Sequence, residues 1–415
     1  MKALQYNVSP VGWATCQWMK HLWPGCLLSK INGLTLRDVP PPELPAKDWV
    51  RVRTLLGGIC GTDTAILGQK PPPDSLLQAY SSMPMILGHE NVSVVDLVGP
   101  AVDRSWLGRR VLVEPTLACE ARGTNPLCER CAAGEFGACE NFSGDMGGSA
   151  NLPAGTSIGY NSRTGGSWGE YFVAHKSQLV PVADELSDEE AILIDPLSCS
   201  LHGVLAADLS DVRRVLVYGS GVLGLGVIAA LRALGYHERI EVLDRVNYLA
   251  EIADQFGASE YFTLPADPRS RFGQIAGRTG GTVQRARFGN FMVSGGYDLV
   301  FDCVGTMQSV DECLKWTRAR GQLVMLGTLQ GKHVDLTPLW FRELRIIGAY
   351  GRQREHHEGR RVGTYQLMQE FMLAGKIKAA RLLTHRFRLD EYRRALQLAM
   401  HKEKHEAVKV AFDFR

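Results

Sequence analysis

A strand, a glycine-rich turn and a helix follow one another near the middle of the chain, and no other feature constrains the fold more. Residues 215–218 have the unbroken apolar character of a buried strand, and residues 225–234 have that of a helix. The six residues between them read Gly-Ser-Gly-Val-Leu-Gly, a G-x-G-x-x-G turn in the strand-to-helix context of a dinucleotide-binding unit. A glycine-rich turn that binds nothing is the alternative, and this context disfavours it.

Each position of the turn has a physical role in holding a dinucleotide. The first glycine permits a tight turn, the second lets the pyrophosphate approach the backbone, and the third lets the helix pack closely on the strand. The N–H groups at the start of the helix attract the phosphates. The predicted cofactor-binding residues here are Gly219, Gly221, Val222, Leu223 and Gly224.

A carboxylate at the end of the next predicted strand indicates which dinucleotide is bound. Asp244 lies twenty residues after Gly224, where a carboxylate binds ribose hydroxyls and repels a 2′-phosphate. NAD is therefore favoured over NADP. Arg245 follows directly, and because an arginine can pair with a 2′-phosphate, NADP stays as the second candidate.

The patterns before and after residue 187 differ and indicate two kinds of domain. The first part has short alternating segments broken by glycine and proline, which predict a β-rich, barrel-like domain. An irregular stretch within residues 1–40 precedes it, whose tryptophans are expected to pack in the core, with a packed flap or an interface patch as the alternative. From 215 to about 347, buried-type strands alternate with helical segments, which predicts a parallel α/β sheet. Residues 268–296 are basic, glycine-rich and poorly patterned, so we expect a long loop or insertion there.

A second group of residues suggests a metal site. Cys60 stands between glycines in the run Gly58-Ile59-Cys60-Gly61-Thr62-Asp63, and His89-Glu90 follows downstream. A thiolate, an imidazole and a carboxylate are all zinc ligands. Because a lone cysteine is more often a small buried hydrophobe, a metal shared by Cys60 and His89 is a hypothesis at this point.

Four of the ten cysteines fall within one 21-residue window and give a stronger signal. Their spacing is C-x8-C-x2-C-x7-C, with a zinc-knuckle pair in the middle. Four thiolates leave no open coordination position, so this zinc would be structural and would fold a loop that lacks its own core. Coincidental thiols and a redox switch that releases the metal are the alternatives. The expected ligands are Cys119, Cys128, Cys131 and Cys139.

Charge and hydropathy argue against several classes of partner. With 46 basic and 44 acidic residues the formal charge is +2. This is too small a positive charge to indicate binding to nucleic acid or to an anionic membrane. The N-terminus lacks the apolar run of a signal peptide. The longest uncharged apolar stretch, between Arg214 and Arg232, suits a strand, turn and helix better than a membrane span. We therefore expect a cytoplasmic protein.

With these features in place the chain resembles the zinc-dependent medium-chain dehydrogenase/reductase family, which includes alcohol, sorbitol and threonine dehydrogenases. The resemblance covers nearly the whole chain and extends to the runs at 165–171, 195–197, 301–305 and 320–327. It implies an α/β fold with a β-rich second domain, in which a Rossmann domain with a doubly wound parallel sheet interrupts a GroES-like catalytic domain. The implied bounds are 1–196, with a structural-zinc lobe at about 115–142, then 197–344, and a C-terminal return at 345–415.

The resemblance also implies roles for residues of the catalytic site. Cys60 and His89 match zinc ligands, and Glu90 matches a ligand or a close partner of one. Asp195 matches the third protein position, where alcohol dehydrogenases have cysteine and polyol and threonine enzymes more often glutamate. An aspartate is one methylene shorter, so either direct coordination or a water bridge is open. Thr62 matches the hydroxyl that takes the substrate proton, and Asp63 is expected to orient the site.

On the cofactor side the resemblance adds Gly305 and Gly327. The sequence departs from the family at two places. The first gap between lobe cysteines is x8 where many relatives have x2. Ala65 stands where many relatives have a histidine that ends a proton relay, and alanine cannot transfer a proton. The proton would then leave through ribose hydroxyls and water, or through another group such as His202.

The implied activity is hydride transfer between a secondary alcohol or polyol and NAD(P), with two zinc ions per chain. Threonine-dehydrogenase-like oxidation of a hydroxy amino acid, a NAD-binding zinc protein that has lost its chemistry, and a zinc-free reductase of the same superfamily are the alternatives. Trp168, Tyr160 and residues 66–85 are candidates to line the substrate pocket. The resemblance implies a homodimer or homotetramer.

Overall fold

The computed structural model describes residues 1–327 and 334–415. They form two compact units. The first contains Met1–Asp195, Arg352–Gln369 and Ala379–Arg415, and the second contains Pro196–Gly351 and Glu370–Lys378. Within the described residues no helix is both long enough and apolar enough to cross a membrane.

The chain begins with eight strands and six helices, which belong to the first unit except for the last helix, whose residues from Pro196 onward belong to the second. The predicted strands near 49, 91 and 110 are present, and strand β3 is long enough to pair with three neighbours. The strands are β1 (Lys2–Tyr6), β2 (Leu34–Asp38), β3 (Trp49–Gly58), β4 (Met85–Ile86), β5 (Asn91–Val98), β6 (Arg110–Val113), β7 (Tyr171–His175) and β8 (Leu179–Pro181). The helices are α1 (Pro10–Met19), α2 (Gly61–Leu67), α3 (Cys119–Arg122), α4 (Glu129–Ala132), α5 (Asp188–Ala191) and α6 (Ile194–Ala206).

The second unit is built on a parallel sheet. Its elements are β9 (Arg214–Tyr218), α7 (Val222–Ala233), β10 (Arg239–Leu243), α8 (Ala250–Gln255), β11 (Glu260–Phe262), α9 (Pro268–Thr279), β12 (Thr282–Arg285), β13 (Phe291–Ser294), β14 (Tyr297–Asp302), α10 (Met307–Trp316), β15 (Thr317–Met325), α11 (Thr337–Phe341) and β16 (Arg345–Gly348). The sheet order is β11-β10-β9-β14-β15-β16, with every pair parallel. This is the doubly wound Rossmann order, in which the strand order reverses at β9. Because β16 extends this sheet, the second unit runs past the expected bound at 344.

The chain then returns to the first unit through β17 (Arg354–His357), β18 (Arg360–Gly363), α12 (Thr364–Leu373), β19 (Leu383–Phe387), α13 (Tyr392–Met400) and β20 (Lys409–Asp413). Strand β20 pairs antiparallel with the end of β3, so the last strand of the chain joins the main sheet of the first unit, in the order β19-β20-β3-β5-β6-β8 with β7 also on β3. A smaller antiparallel sheet has the order β2-β1-β4.

Two expectations from the sequence were wrong. The stretch at 268–296 contains α9 and the β12–β13 hairpin instead of a long loop. The side chain of Asp267 caps α9 by accepting from the Ser270 N–H at 2.8 Å, and the helix buries a stripe of side chains. Of its arginines, Arg269 is exposed, whereas Arg271 and Arg278 are mostly buried in ion pairs with Glu312 and with Glu241 and Glu260. This stripe, Phe272, Ile275, Ala276 and Thr279, has the i, i+3, i+4, i+7 spacing of an amphipathic helix.

The irregular stretch expected within residues 1–40 instead begins with helix α1, and its tryptophans are not all in the core. Ser9 accepts from the Gly12 N–H at 3.0 Å and Pro10 occupies the first turn, which together start the helix. Trp18 is 72% exposed and Trp23 is 48% exposed. Two short 3-10 turns, Pro24–Leu28 and Lys30–Asn32, follow the helix.

Candidate active site

Cys60 sits at the start of α2, directly after β3. It is the N-cap residue of the helix, and the Asp63 carboxylate reaches back to accept from the Cys60 N–H at 3.0 Å. The hydroxyl oxygen of Thr62 lies 3.8 Å from the Cys60 sulfur. The Cys-Gly-Thr-Asp run therefore forms a helix start that holds a thiol, a hydroxyl and a carboxylate together.

Strand pairing brings His89 and Glu90 to this helix start. They lie just before β5, which pairs with β3, and the Gly58 N–H donates to the Glu90 carbonyl at 3.0 Å. Gly58 has to be a glycine, because a Cβ there would lie 2.0 Å from Oε2 of Glu90. Ligand atoms of Cys60, His89 and Glu90 all lie within 4.8 Å of one another.

Tyr160 and Asp63 contact this group and each other. The Tyr160 hydroxyl donates to Oδ1 of Asp63 at 2.7 Å, and Nδ1 of His89 lies 3.6 Å from the same oxygen. The rings of Tyr160 and His89 are 5.4 Å apart. Burial disfavours a charged His89, but the negative charges of Asp63 and Cys60 outweigh burial and raise its pKa well above the usual range.

Glu90 also has a buried cationic partner, Lys409 of β20. Both side chains are 1% exposed, and the ammonium forms an ion pair with the carboxylate and donates to the Ile59 carbonyl at 3.3 Å. Burial raises the pKa of Glu90, and the attraction of Lys409 offsets part of that rise. A buried charge needs such a partner, since an uncompensated one is strongly destabilising.

Asp195 lies in the first turn of α6 and has partners of its own. Arg352 donates to its carboxylate at 3.1 Å, and the Tyr365 hydroxyl donates to the same oxygen. Arg352 also bridges to Glu114 at 3.3 Å. Among the described residues, Asp195 is not in the group whose ligand atoms lie within 4.8 Å of one another. The structure thus brings together three of the four residues that the resemblance assigns to the catalytic zinc.

The four lobe cysteines come together despite the long first gap. Their sulfur atoms lie within 4.8 Å of one another, and Cys119 and Cys139 are 3.6 Å apart. A tetrahedron with Zn–S bonds of about 2.3 Å has edges of about 3.8 Å, so the spacing suits zinc. Backbone N–H groups point at two sulfurs, at 3.4 Å for Cys128 and 3.3 Å for Cys139. Hydrogen bonds, first from Cys131, lower the pKa of Cys139 to about 5.

The glycine-rich turn lies at the carboxyl end of β9, where the sheet order reverses. Helix α7 begins at Val222, with Leu223 next in its first turn and Gly221 as its N-cap. No described side chain caps this turn. The space beside Gly221 is open, with nothing within 4 Å of where a Cβ would lie. At Gly224 a Cβ would meet the Gly219 carbonyl at 1.8 Å, as close helix packing requires. This cradle fits a pyrophosphate.

The Asp244 carboxylate is held against this turn. It accepts from both the backbone N–H and the hydroxyl of Ser220, at 2.6 and 2.7 Å, and its other oxygen accepts from the Arg245 N–H at 2.6 Å. Gly305 and Gly327 lie after the next two strands of the sheet, where both donate to Asp302, at 3.1 and 2.9 Å. All the predicted cofactor-binding residues therefore lie at the carboxyl edge of one parallel sheet.

Comparisons with known proteins bear on both units. Residues 46–184 match the family model described as Alcohol dehydrogenase GroES-like domain, and residues 222–363 match the one described as Zinc-binding dehydrogenase. The chain belongs to the zinc-dependent medium-chain dehydrogenase/reductase family. It is therefore an oxidoreductase that acts on CH–OH donors with zinc and NAD(P), and the predicted family, fold class and cofactors are confirmed.

Individual relatives within this family are distant but match along most of their length. The chain is 28% identical to the L-idonate 5-dehydrogenase of Vitis vinifera over 87% of this chain and 86% of the relative. It is 26% identical to an L-threonine 3-dehydrogenase of Rhizobium etli over 90% and 94%. The fold matches that of the 2R,3R-butanediol dehydrogenase of Bacillus subtilis with a TM-score of 0.70, at 21% identity, over 100% and 99% of the two chains.

Four residues contact the predicted site residues but were not identified from the sequence in that role. Tyr160 was expected only as a pocket residue, and Trp168, its companion in that expectation, is fully buried and donates to the Gly58 carbonyl at 2.9 Å. The other three come from the C-terminal return, which carries no motif that marks them. They are Lys409, Arg352 and Tyr365.

Proposed function

We propose that this dehydrogenase oxidises a secondary alcohol or polyol to a ketone, reversibly, with NAD as the preferred acceptor. The observation that carries the proposal is the group formed by Cys60, His89 and Glu90, with Thr62 beside the thiol. Three protein ligands of this kind leave one coordination position open for a substrate, as catalytic zinc requires.

In this proposal Cys60, His89 and Glu90 hold the catalytic zinc, and the four lobe cysteines hold the structural one. Asp195 is not a direct ligand in this proposal, because among the described residues it lies outside the group whose ligand atoms are within 4.8 Å of one another, and its Oδ1 is paired with Arg352 and Tyr365. Zinc supplies a Lewis acid that lowers the pKa of an alcohol hydroxyl, and NAD supplies the hydride acceptor. Asp63 fixes the orientation of His89, and Lys409 compensates the charge of Glu90.

The proton that the substrate loses passes first to Thr62. Its hydroxyl lies on the first turn of α2, close to the thiol, where it can accept a hydrogen bond from a substrate hydroxyl. Ala65, one turn further along, is buried and cannot carry the proton onward. Ribose hydroxyls and water therefore provide the onward route in this proposal.

The preference for NAD rests on Asp244. Its carboxylate is fixed beside the glycine-rich turn, where it repels a 2′-phosphate and can accept from ribose hydroxyls. The side chain of Arg245 is exposed next to it. Because this arginine can pair with a 2′-phosphate, we expect weak activity with NADP as well.

Polyol and hydroxy amino acid substrates are separated by a direct assay. The zinc-loaded chain is supplied with NAD and, in turn, secondary alcohols, polyols and L-threonine, and NADH formation is followed. We expect turnover with an alcohol or polyol; turnover confined to L-threonine would support the relatives of that name instead. A chain that binds zinc and NAD but turns over none of them would be the catalytically lapsed protein.

The Cys60→Ser variant tests the site itself. We expect it to lose turnover and one of two zinc ions while still binding NADH, which fluorescence titration reports. Cys313→Ala removes a buried thiol outside the cluster and serves as the matched control. Full turnover by Cys60→Ser would refute the assignment.

A homodimer or homotetramer in the cytoplasm completes the proposal. Among the strands that the structure describes, β16 is an edge strand of the parallel sheet and exposes Ile346, and Trp340 and Phe341 of α11 are exposed as well. An unpaired edge with apolar side chains is suited to pairing with a second copy. Light scattering coupled to size-exclusion chromatography tests the mass, and a monomer would contradict this part.

A further inference from the structure

Two cysteines outside both zinc groups lie in contact with each other. Cys16 of α1 and Cys26 of the following 3-10 turn have their sulfur atoms 2.9 Å apart, and the Cys26 thiol also lies 3.6 Å from the Cys16 carbonyl. Both side chains are fully buried. A buried thiol usually has an apolar neighbourhood, so two thiols in contact within one short segment need a separate explanation.

We propose that Cys16 and Cys26 are a redox-active pair that forms a reversible disulfide and thereby staples the segment Ser9–Gly33, called here the N-terminal insert. Disulfide formation needs the two sulfurs close together with little backbone movement, and this pair already meets that condition.

The chemistry needs a two-electron oxidant, and a low-molecular-weight disulfide such as glutathione disulfide supplies it. One thiolate attacks the oxidant and releases a glutathione thiolate, and the second protein thiolate then attacks the mixed disulfide and releases another. The two protein thiols lose two protons and two electrons, and one glutathione disulfide becomes two glutathione thiols. Burial raises the pKa of Cys16 to about 12, so we expect oxidation to be slow in the folded protein.

The staple would act on the segment that supports the catalytic helix. Asn32, at the end of the N-terminal insert, donates to the carbonyl of Leu67, the last residue of α2, at 2.8 Å. Gln69 donates to Asn32 at 2.7 Å and to the Trp13 carbonyl at 3.2 Å. Since α2 begins at the proposed zinc ligand Cys60, a link within the insert stiffens the support for the far end of that helix. This consequence rests on the proposed function, whereas the disulfide does not.

Trypsin provides a sharp test, because Lys20 lies between the two cysteines. Digestion gives the peptides 3–20 and 21–30, each with a single cysteine. The zinc-loaded full chain is incubated with glutathione disulfide at pH 8, remaining thiols are blocked with N-ethylmaleimide, and the denatured protein is digested and analysed by mass spectrometry. We expect the two peptides joined, with a mass two hydrogens below their sum, and separated again after dithiothreitol.

Matched variants identify the link. Cys16→Ala must abolish the joined peptide, whereas Cys313→Ala, which removes an equally buried thiol elsewhere, must leave it in place. Native trypsin cleavage after Lys20 should leave residues 3–30 covalently joined in the oxidised protein only. Separate glutathione adducts on the two peptides, no modification at either cysteine, or disulfides confined to the zinc lobe would each overturn the proposal, whatever the alcohol assay shows.

Discussion

The buried pair of Glu90 and Lys409 offers a quantitative test of how the catalytic group is held. Replacing Lys409 by methionine keeps most of the side-chain volume but removes the cation. Glu90 is then left as a carboxylate that is only 1% exposed, with compensation from His89, Lys402 and the zinc that we propose there.

The size of the effect follows from that burial. Breaking a buried ion pair by removing one partner costs about 3–5 kcal/mol, because the other charge stays desolvated. Zinc bound at Glu90 carries part of the compensation, so we expect about 3 kcal/mol for Lys409→Met in the zinc-loaded protein. This corresponds to a roughly 140-fold change in the unfolding equilibrium.

Urea unfolding followed by tryptophan fluorescence measures this loss, at one fixed free zinc concentration because binding shifts apparent stability. In the Glu90→Gln background, where the carboxylate charge is already absent, Lys409→Met should cost much less than in the unmodified chain. Arg394→Met, an exposed pair partner of Glu391, is the matched control and should change little. A loss below about 1 kcal/mol for Lys409→Met, or an equal loss in both backgrounds, would refute the reasoning.

Three further predictions concern the metal lobe, the cofactor and the residues behind the zinc group. Cys119→Ser should reduce the zinc content from two to one per chain while NADH binding survives; a content of two would contradict the four-thiolate site. Asp244→Ala should shift the ratio of NAD to NADP affinity toward NADP by about 10- to 100-fold, the worth of a hydrogen bond to a charged group, and an unchanged ratio in fluorescence titrations would count against Asp244. Tyr160→Phe should weaken zinc binding at Cys60, measured by competition with a chelator, because Asp63 loses its 2.7 Å bond; equal affinity would show that Asp63 needs no such support.

Local chemistry made much of the fold predictable. The glycine-rich turn requires a strand before it and a helix after it, and the alternation of buried strands and helices then leads to a parallel sheet, which β9, β10, β11, β14, β15 and β16 form. Helix α9 was not predicted because arginines and glycines interrupt its buried stripe of four residues in the sequence. Helix α1 was not predicted for a different reason, since it exposes a tryptophan where sequence reasoning expects a buried one.

Some contacts in the site could be predicted from short local motifs, and others, between residues far apart in the sequence, could not. The grouping of Cys60 with His89 follows from two short motifs at the ends of neighbouring strands, which strand pairing brings together. Tyr160 contributes through a hydrogen bond between residues 97 positions apart in the chain, and Lys409 arrives on the last strand. A single sequence carries no signal for such pairings, because their side chains become partners only after the sheet is assembled.

At Asp195 the site that we propose contains a carboxylate one methylene shorter than glutamate. In the family it matches a position that more often carries cysteine or glutamate, both of which reach a metal by themselves. Here Arg352 and Tyr365 hold the shorter carboxylate, and Arg352 also compensates Glu114. Both partners contact Oδ1 of Asp195, and moving that oxygen to a metal would break a buried ion pair, at a cost of about 3–5 kcal/mol. In the proposed site Cys60, His89 and Glu90 provide the three ligands that an open zinc site needs, so direct coordination by Asp195 is not required.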